Sequence, residues 1–472
     1  MSTSAINLTS SVLDVASIVD GLIYIESSPV RNMQSQVTVL QSKLSAYQSL
    51  NTMLSALSGK VNTMLFRDAE APFVQPGSFA DRLQDSLFAG CMVASSNPDV
   101  ISATASNSIF VGSYSITVTG LAQAQSVASS GFADTASAAL ATGTLTITTG
   151  DHDPVTITID STNNTLSGLR DAINNANAGV AASIINDGSP DTPYRLLIKA
   201  NETGTANSFT LAEGLSGGQA LELVQTQAAS DAQFTLNGVS IVKSSNTVSD
   251  VISGVTFTLK ELASAPVTLS IDKDVDSIVG AVNEFVTAYN AVNSFINSQF
   301  RYDPSTEKAG VLAADSTLRR IQSTLQNQIT QRVTNPFTSF SAAGQAGLEF
   351  NRDGSLTLDE SKFREALAGD FTGVAALFLG DGASSEGYGG ILMNLFRVLD
   401  GITDPLSGPI HNATDGLNRN IDSLQDRISS YQERLEKRRE MLTLEYSRAD
   451  EALRLMTVLQ AQLSSQISAL TG

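Results

Sequence analysis

The chain has 472 residues, of which 42% are hydrophobic and only 16% charged, and its net charge is −19. That acidity repels phosphate backbones and anionic bilayers, so nucleic acid is set aside as a partner and nothing is gained at a membrane surface. The single cysteine, Cys91, excludes an intrachain disulfide, and no apolar run approaches the ~20 residues of a membrane span.

At ~100–200 residues per domain, two to four domains are expected. Ser, Thr, Asn, Gln and Ala replace the missing charges, and a surface of that kind packs against its like without burying charge. The first basic residue is Arg31. No Sec-type leader is therefore expected, and the chain reads as cytoplasmic unless another secretion system takes it.

Met1–Gly21 is Ser/Thr-rich and is expected to order only against a partner. From Val30 the apolar residues Val30, Met33, Val37, Leu40, Leu44 and Tyr47 alternate steps of three and four, the seam of a coiled coil. Leu50, Leu54, Leu57, Val61 and Met64 follow, and two successive steps of three add a stammer there. With Pro29 in the first turn, the pattern predicts a helix to Phe66, roughly 55 Å long.

From Ala71 to Asn97 the pattern loosens, with Pro72, Pro76 and Pro98 as breakers. Period-two alternation then marks Ser113–Thr119, Leu145–Thr148 and Val155–Ile159 as strands, and residues 187–193 form a turn between Ala182–Ile185 and Leu196–Lys199. A weak repeat reads hairpin, capped short helix, strand. Its first copy passes through Asn164–Ser167, Leu169, Ala172 and Ile173 to Val180–Ile185. Its second passes through Phe234–Leu236, Val239–Val242 and Asn246–Asp250 to Val255–Leu259, with Thr247 and Asp250 fitting a capping box. Two related β modules, or chance, account for it.

Helical spacing returns in Ile278, Val282, Phe285, Tyr289, Val292 and Ile296, and in Leu318, Ile321, Leu325 and Ile329. A third stripe, Phe363, Leu367, Val374, Leu377 and Phe378, is interrupted by Gly369 and Gly373. The last segment places Leu417, Ile421, Leu424, Ile428, Tyr431, Leu435, Leu442, Ala449, Ala452, Met456, Leu459, Leu463 and Leu470 on one stripe, with Arg438, Glu445 and Gln466 as polar members. Free of Gly and Pro, it predicts a helix of roughly 80 Å from Leu417 to Thr471.

The fold class is therefore α+β, with nested discontinuous domains. Residues 1–65 and 430–472 read as terminal helical legs, and 66–100 with 275–429 as a helical domain carrying a β-hairpin. Residues 101–130 with 228–274 read as a β-rich inner domain, and 131–227 as a β-rich outermost one. The leg seams are the candidate contact residues, as core shared between the two ends or between subunits: Val30, Met33, Val37, Leu40, Leu44 and Tyr47 on one side, Leu424, Ile428, Tyr431, Leu435, Leu442, Met456, Leu459 and Leu463 on the other.

Catalytic chemistry has little to stand on. Gly214-Leu215-Ser216-Gly217-Gly218 has nucleophile-elbow spacing, but that motif needs a strand-to-helix turn and a nearby His base. The two histidines fall in turns, His152 beside Asp151, Asp153 and Pro154, and His411 in a Gly/Pro-rich loop. Glu349–Glu360 approaches the twelve-residue calcium loop through Asn351, Asp353, Gly354 and Glu360, yet Glu349 is too long for the first position. A β-hairpin turning at Asp353-Gly354 is the plainer reading. The basic cluster Arg434, Lys437, Arg438 and Arg439 alternates with Glu433, Glu436 and Glu440, a solvated helix face. No catalytic, cofactor or metal residue is assigned.

Several segments together resemble the flagellar hook-associated protein 2 family, the filament caps. Leu13–Asp20 is similar to the family's opening, followed by Glu26, Pro29 and Ser45-Ala46-Tyr47. Gly112–Gln125 is similar to its most specific segment, and Thr165–Asn175 with Gly179–Asn186 to the IN motif of hook and flagellin proteins. Gly254–Lys260, Phe285–Asn290, Asn351–Asp359 and the coiled-coil tail each resemble family segments, while Asn7–Ser11 departs from the usual Gly-rich start.

The resemblance implies a ring-shaped homo-oligomer at the distal tip of the flagellum. It implies export through the flagellar type III apparatus without a cleaved signal, an export chaperone, flagellin as partner, legs docking on the filament, and no cofactor or enzyme activity. Two other readings stay open: another axial protein, either a hook–filament junction protein or flagellin, and a tip adhesin binding host glycans through 131–227.

Overall fold

The computed structural model describes residues 13–66, 78–105, 111–304, 308–380 and 389–471. Asn7–Ser11, Pro72 and Pro76 lie outside the described residues. The fold is α+β. It divides into two compact units, one made of residues 1–82 with 279–472, the other, residues 83–278, inserted between them.

In the first unit, α1 (Val15–Glu26) opens on Asp14, whose carboxylate accepts the Ser17 N–H at 3.1 Å as an N-cap. Leu13–Gly21 is thus ordered within the chain itself, against its C-terminal helix, which corrects the expectation of an external partner for that stretch. After Ser27 comes α2 (Ser28–Leu65), 38 residues with Pro29 in the first turn, about 57 Å long at ~1.5 Å per residue. Its second half buries Leu50, Leu54, Leu57, Val61 and Met64 completely, the residues that follow the stammer. A short helix, α3 (Phe79–Asp85), stacks Phe79 on Phe337.

Between Cys91 and Lys273 the inserted unit holds fifteen strands and one α-helix among its described residues. In order they are β1 (Cys91–Ser95), β2 (Ile101–Ala105), β3 (Gly112–Gly120), β4 (Ser126–Ala128), β5 (Thr142–Thr149), β6 (Val155–Ile159), α4 (Leu166–Asn175), β7 (Val180–Asn186) and β8 (Tyr194–Ala200). Then come β9 (Phe209–Ser216), β10 (Val224–Gln227), β11 (Ala232–Leu236), β12 (Val239–Lys243), β13 (Thr247–Ile252), β14 (Val255–Leu259) and β15 (Val267–Lys273). A sheet in the order β1-β15-β3-β11-β12 and a sheet in the order β13-β14-β2 close over one core, in which Phe234 and Phe257 meet edge to face. Sheets β10-β4-β8-β7 and β6-β5-β9, with α4, enclose a second core around Leu145, Leu169, Ile173 and Leu196.

The repeat holds in only one copy. Thr165 caps α4, its hydroxyl accepting the Gly168 N–H at 2.9 Å. Asn246–Asp250 forms no helix: Thr247–Ile252 is β13, paired with β14. The alternation buries Val248 and turns Asp250 outward to Lys243, so burial at period two overrides the capping pattern.

The chain returns to the first unit through α5 (Val275–Phe300), a two-residue ladder of β16 (Tyr302–Asp303) with β17 (Lys308–Ala309), and α6 (Ser316–Thr330), capped by Asp315. The hairpin of β18 (Leu348–Phe350) and β19 (Leu356–Leu358) leads into α7 (Glu360–Gly369) and α8 (Phe371–Leu379). Asp370 separates these two by capping α8 through the Gly373 N–H at 2.8 Å. After α9 (Ile391–Thr403), α10 (Pro409–Thr471) runs 63 residues, about 95 Å. It starts at Pro409, where the missing N–H costs nothing, so His411 lies in its first turn and not in a loop.

Candidate assembly surface

The two ends of the chain meet along α10. Pro29 and Met33 share one groove with Ser430 and Tyr431, and Leu44 and Gln48 share another with Ile410 and Thr414, so α2 and α10 run antiparallel. α1 continues along the same helix. The Leu13 N–H donates to Asp450 Oδ1 at 2.8 Å, Arg439 pairs with Asp20 at 2.7 Å, and Arg438 pairs with Glu26 at 3.5 Å. Asp450 is buried and also holds Arg454 at 3.0 Å. Arg31 lies over the Tyr24 ring and donates to the Tyr24 carbonyl, fixing the corner between α1 and α2.

The candidate contact residues fall into three groups. Val30, Val37, Tyr47 and Leu442 are buried inside the chain. Met33, Leu40, Leu44, Leu424, Ile428, Tyr431 and Leu435 are half-buried in the seams of α10. Met456, Leu459 and Leu463 are 66%, 55% and 58% exposed, on a stretch of α10 beyond the Asp450–Leu13 contact. Leu455 and Val458 are exposed on the same stretch. The ion pairs across α1 and Asp450 itself were not legible in the heptad pattern, because charged residues at such spacing read equally well as a solvated face.

Tyr47 shows how tightly the inner seam closes. Its hydroxyl is buried and has no hydrogen-bond partner among the described residues. Burial, and then the nearby Asp315 carboxylate, push its ionisation well above the ordinary tyrosine range. Asp315 Oδ1 accepts the N–H groups of Thr317 and Leu318 and so caps α6 beside that hydroxyl.

The lookalike motifs are structural. Ser216 ends β9, followed by Gly217 and Gly218 at φ +68° and +153° and then by β10, not by the helix that a nucleophile elbow requires. Glu349–Glu360 is a hairpin, with Leu348 opposite Leu358 and Phe350 opposite Leu356. Each acidic residue in it has a structural task. Glu349 pairs with Lys362, Asp353 accepts from Ser355, Asp359 caps α7, and Glu360 accepts from Asn283.

Comparison with known proteins matches residues 11–125 to the N-terminus and 229–457 to the C-terminus of flagellar hook-associated protein 2, and 144–202 to the flagellin hook IN motif. Flagellar hook-associated protein 2 of Escherichia coli K12 is 34% identical over 437 residues, covering 87% of this chain and 86% of its own. The B-type flagellar hook-associated protein 2 of Pseudomonas aeruginosa PAO1 is 35% identical over 327 residues, 63% of this chain and 68% of its own. The crystal structure of the D1-D2-D3 domains of the Escherichia coli flagellar cap protein FliD superimposes with a TM-score of 0.62 at 34% identity, covering 79% of this chain and 99% of that one.

Proposed function

The chain belongs to the flagellar hook-associated protein 2 family, the filament caps of the bacterial flagellum, and from that premise we infer that it closes the distal end of a growing filament. It works there as a ring of identical copies. The ring retains exported flagellin and promotes its folding and insertion, so that the filament lengthens. No catalytic step takes part; the work is shape, contact and leg movement. The chain reaches the tip through the flagellar type III channel, with an export chaperone.

The observation that carries this reading is the pairing of the two chain ends. α1 and α2 lie on α10, and beyond the Leu13–Asp450 contact Leu455, Met456, Leu459 and Leu463 of α10 are exposed among the described residues. A helical leg with an exposed apolar end gains by burying it against another protein. The seam residues Val30 to Tyr47 and Leu424 to Leu442 build the leg, and Met456, Leu459 and Leu463 meet the filament.

Deleting the gene tests the reading. Short or absent filaments, with flagellin released into the medium and both defects reversed by the full chain, are expected. Filaments of normal length in the deletion strain refute it.

A further inference from the structure

The sheet β1-β15-β3-β11-β12 packs one face on the core, with Val93, Leu236 and Ile241 half-buried toward its edges, and turns the other outward, where Ser113, Ser115 and Ser240 are exposed and Thr117, Thr235, Thr268 and Ser270 half-buried. Pairing places the open face in rows. Ser240, Thr235 and Thr117 lie in one line across β12, β11 and β3. Ser115 lies opposite Thr268, and Ser113 lies opposite Ser270. None of these hydroxyls makes a side-chain hydrogen bond among the described residues. The alternation is strict: Ile116, Val118, Phe234 and Leu269 point into the core between them.

We propose that this hydroxyl-bearing face is a contact surface for a second copy of the chain. Three observations carry the inference, which rests on the ring reading above. The first is charge. Two copies at −19 each repel through most surfaces, yet the interior of this face carries no charge, and Asp272 sits only at the β1 margin opposite Met92. The second is chemistry. A serine or threonine hydroxyl both donates and accepts, so an uncharged hydroxyl lattice matches a polar neighbour without fixed polarity and without an unpaired ion. The third is the margins. Met92 and Val242, on the two edge strands, are 43% and 59% exposed and give the patch an apolar residue at each side.

Five strands about 4.8 Å apart and about five residues of ~3.3 Å each give roughly 400 Å². That is half the ~800 Å² per partner of a standard interface. One such contact holds two copies weakly, and a closed ring needs it together with others.

The test is sedimentation velocity of the full chain over a range of concentrations. Wild type is compared with Thr117→Arg, Ser270→Arg and, as control, Thr210→Arg on exposed β9. An arginine in the middle of the face is expected to raise the concentration needed for assembly at least about tenfold, with the melting temperature unchanged and the control like wild type. Assembly of Thr117→Arg and Ser270→Arg at wild-type concentrations overturns this contact and leaves the cap reading intact. A wild-type chain that stays monomeric at every concentration defeats both. Oxidation of Met92 in the wild-type chain gives a readout that needs no variant: its rate is expected to fall on assembly, and an unchanged rate overturns the contact.

Discussion

The side-chain amide of Asn290 grips the backbone of Leu356 at both of its polar groups. Asn290 Oδ1 accepts the Leu356 N–H at 2.8 Å, and Asn290 Nδ2 donates to the Leu356 carbonyl at 2.8 Å. The amide acts as one more residue of strand beside β19. Tyr289 donates to the Gly354 carbonyl at 3.3 Å, and Asn293 and Asn297 both donate to the Asp353 carbonyl, so α5 holds the whole hairpin. Burial pushes the Tyr289 hydroxyl up to about 12, so it remains a donor at any physiological pH. The same two-bond grip recurs between Asn174 and Ala182, Asn246 and Ala122, and Gln125 and Phe209. In each case an uncharged amide ties together segments that strand pairing does not join.

Replacing Asn290 by Ala removes two hydrogen bonds and leaves the Leu356 backbone half-buried without partners. The unfolding free energy is expected to fall by about 2 kcal/mol, at ~1 kcal/mol per bond. Asn290→Asp keeps the acceptor but sets a carboxylate against the Leu356 carbonyl, so it is expected to cost at least as much. Urea denaturation of both variants checks this; a change too small to resolve contradicts it.

Much of this was legible before the structure, and the reason differs by element. The helical stripes of α2, α5, α6 and α10 were legible because burial repeats with the helix period, and the strands Ser113–Thr119 and Val155–Ile159 because it repeats every second residue. The hairpin at Asp353-Gly354 was legible from its turn, and Gly354 does adopt φ +78°. The strands β1 and β2 were not, since Cys91–Ser95 and Ile101–Ala105 are short and acquire their pairing from β15 and β14, far along the chain. The β13 error has the same origin: Thr247 and Asp250 satisfy a local capping rule, whereas the decisive partner is β14. In the leg, spacing found the seam but not the point where cover ends, because Leu442 and Leu459 follow one pattern and only the reach of α1 separates them.

Tyr47 offers a test in which removing a polar atom does no harm. Its hydroxyl is buried without a hydrogen-bond partner among the described residues, so Tyr47→Phe is expected to leave stability unchanged or raise it by up to ~1 kcal/mol. Tyr47→Ala removes the ring from the seam between α2 and its neighbours and is expected to cost about 3–5 kcal/mol. A Phe variant as unstable as the Ala variant points to a hydrogen bond that the geometry lacks. Thermal denaturation followed by circular dichroism separates the two outcomes.

Asp187, at the tip of the β7–β8 hairpin, is held down to about 2 by hydrogen bonds from the Arg195 guanidinium first and Ser189 next. In the unfolded chain an aspartate titrates near ~3.9. A carboxylate with a lowered folded-state pKa contributes stability above the unfolded value and loses it as pH falls through the folded one. The difference in melting temperature between the wild type and Asp187→Asn is therefore expected to be constant at neutral pH, to shrink below about pH 4 and to vanish near about pH 2. The group is exposed, so the difference is small. A gap that widens on acidification contradicts the assignment.

The hold of α10 on α1 depends on Asp450, which receives the Leu13 N–H and holds Arg454. Val19 is the one fully buried residue of α1, so polar contacts carry much of its attachment. Asp450→Ala is expected to lower hydrogen-exchange protection over Val15–Glu26 about tenfold, equivalent to ~1.4 kcal/mol, and to leave α5 untouched. Added salt is expected to act in the same direction but less, because the Asp20–Arg439 and Glu26–Arg438 pairs are solvent-exposed and such pairs contribute only ~0–1 kcal/mol each. Unchanged exchange in α1 assigns its order to apolar contacts instead.

The seam and the bare end of α10 separate stability from function. Leu50 is completely buried, and Leu50→Ala is expected to cost about 2–5 kcal/mol. Met456, Leu459 and Leu463 face solvent, so replacing all three by Ser is expected to change stability by no more than about 0.5 kcal/mol each. If those side chains meet the filament, the triple variant melts like the wild type yet fails to restore filament length in a deletion strain. Flagellin then accumulates in the medium, although the protein is folded and exported. Leu50→Ala, being less stable, is expected instead to lower the amount of cap protein, with filament length following that amount. Full-length filaments with the triple variant at wild-type abundance would place the filament contact elsewhere on the chain.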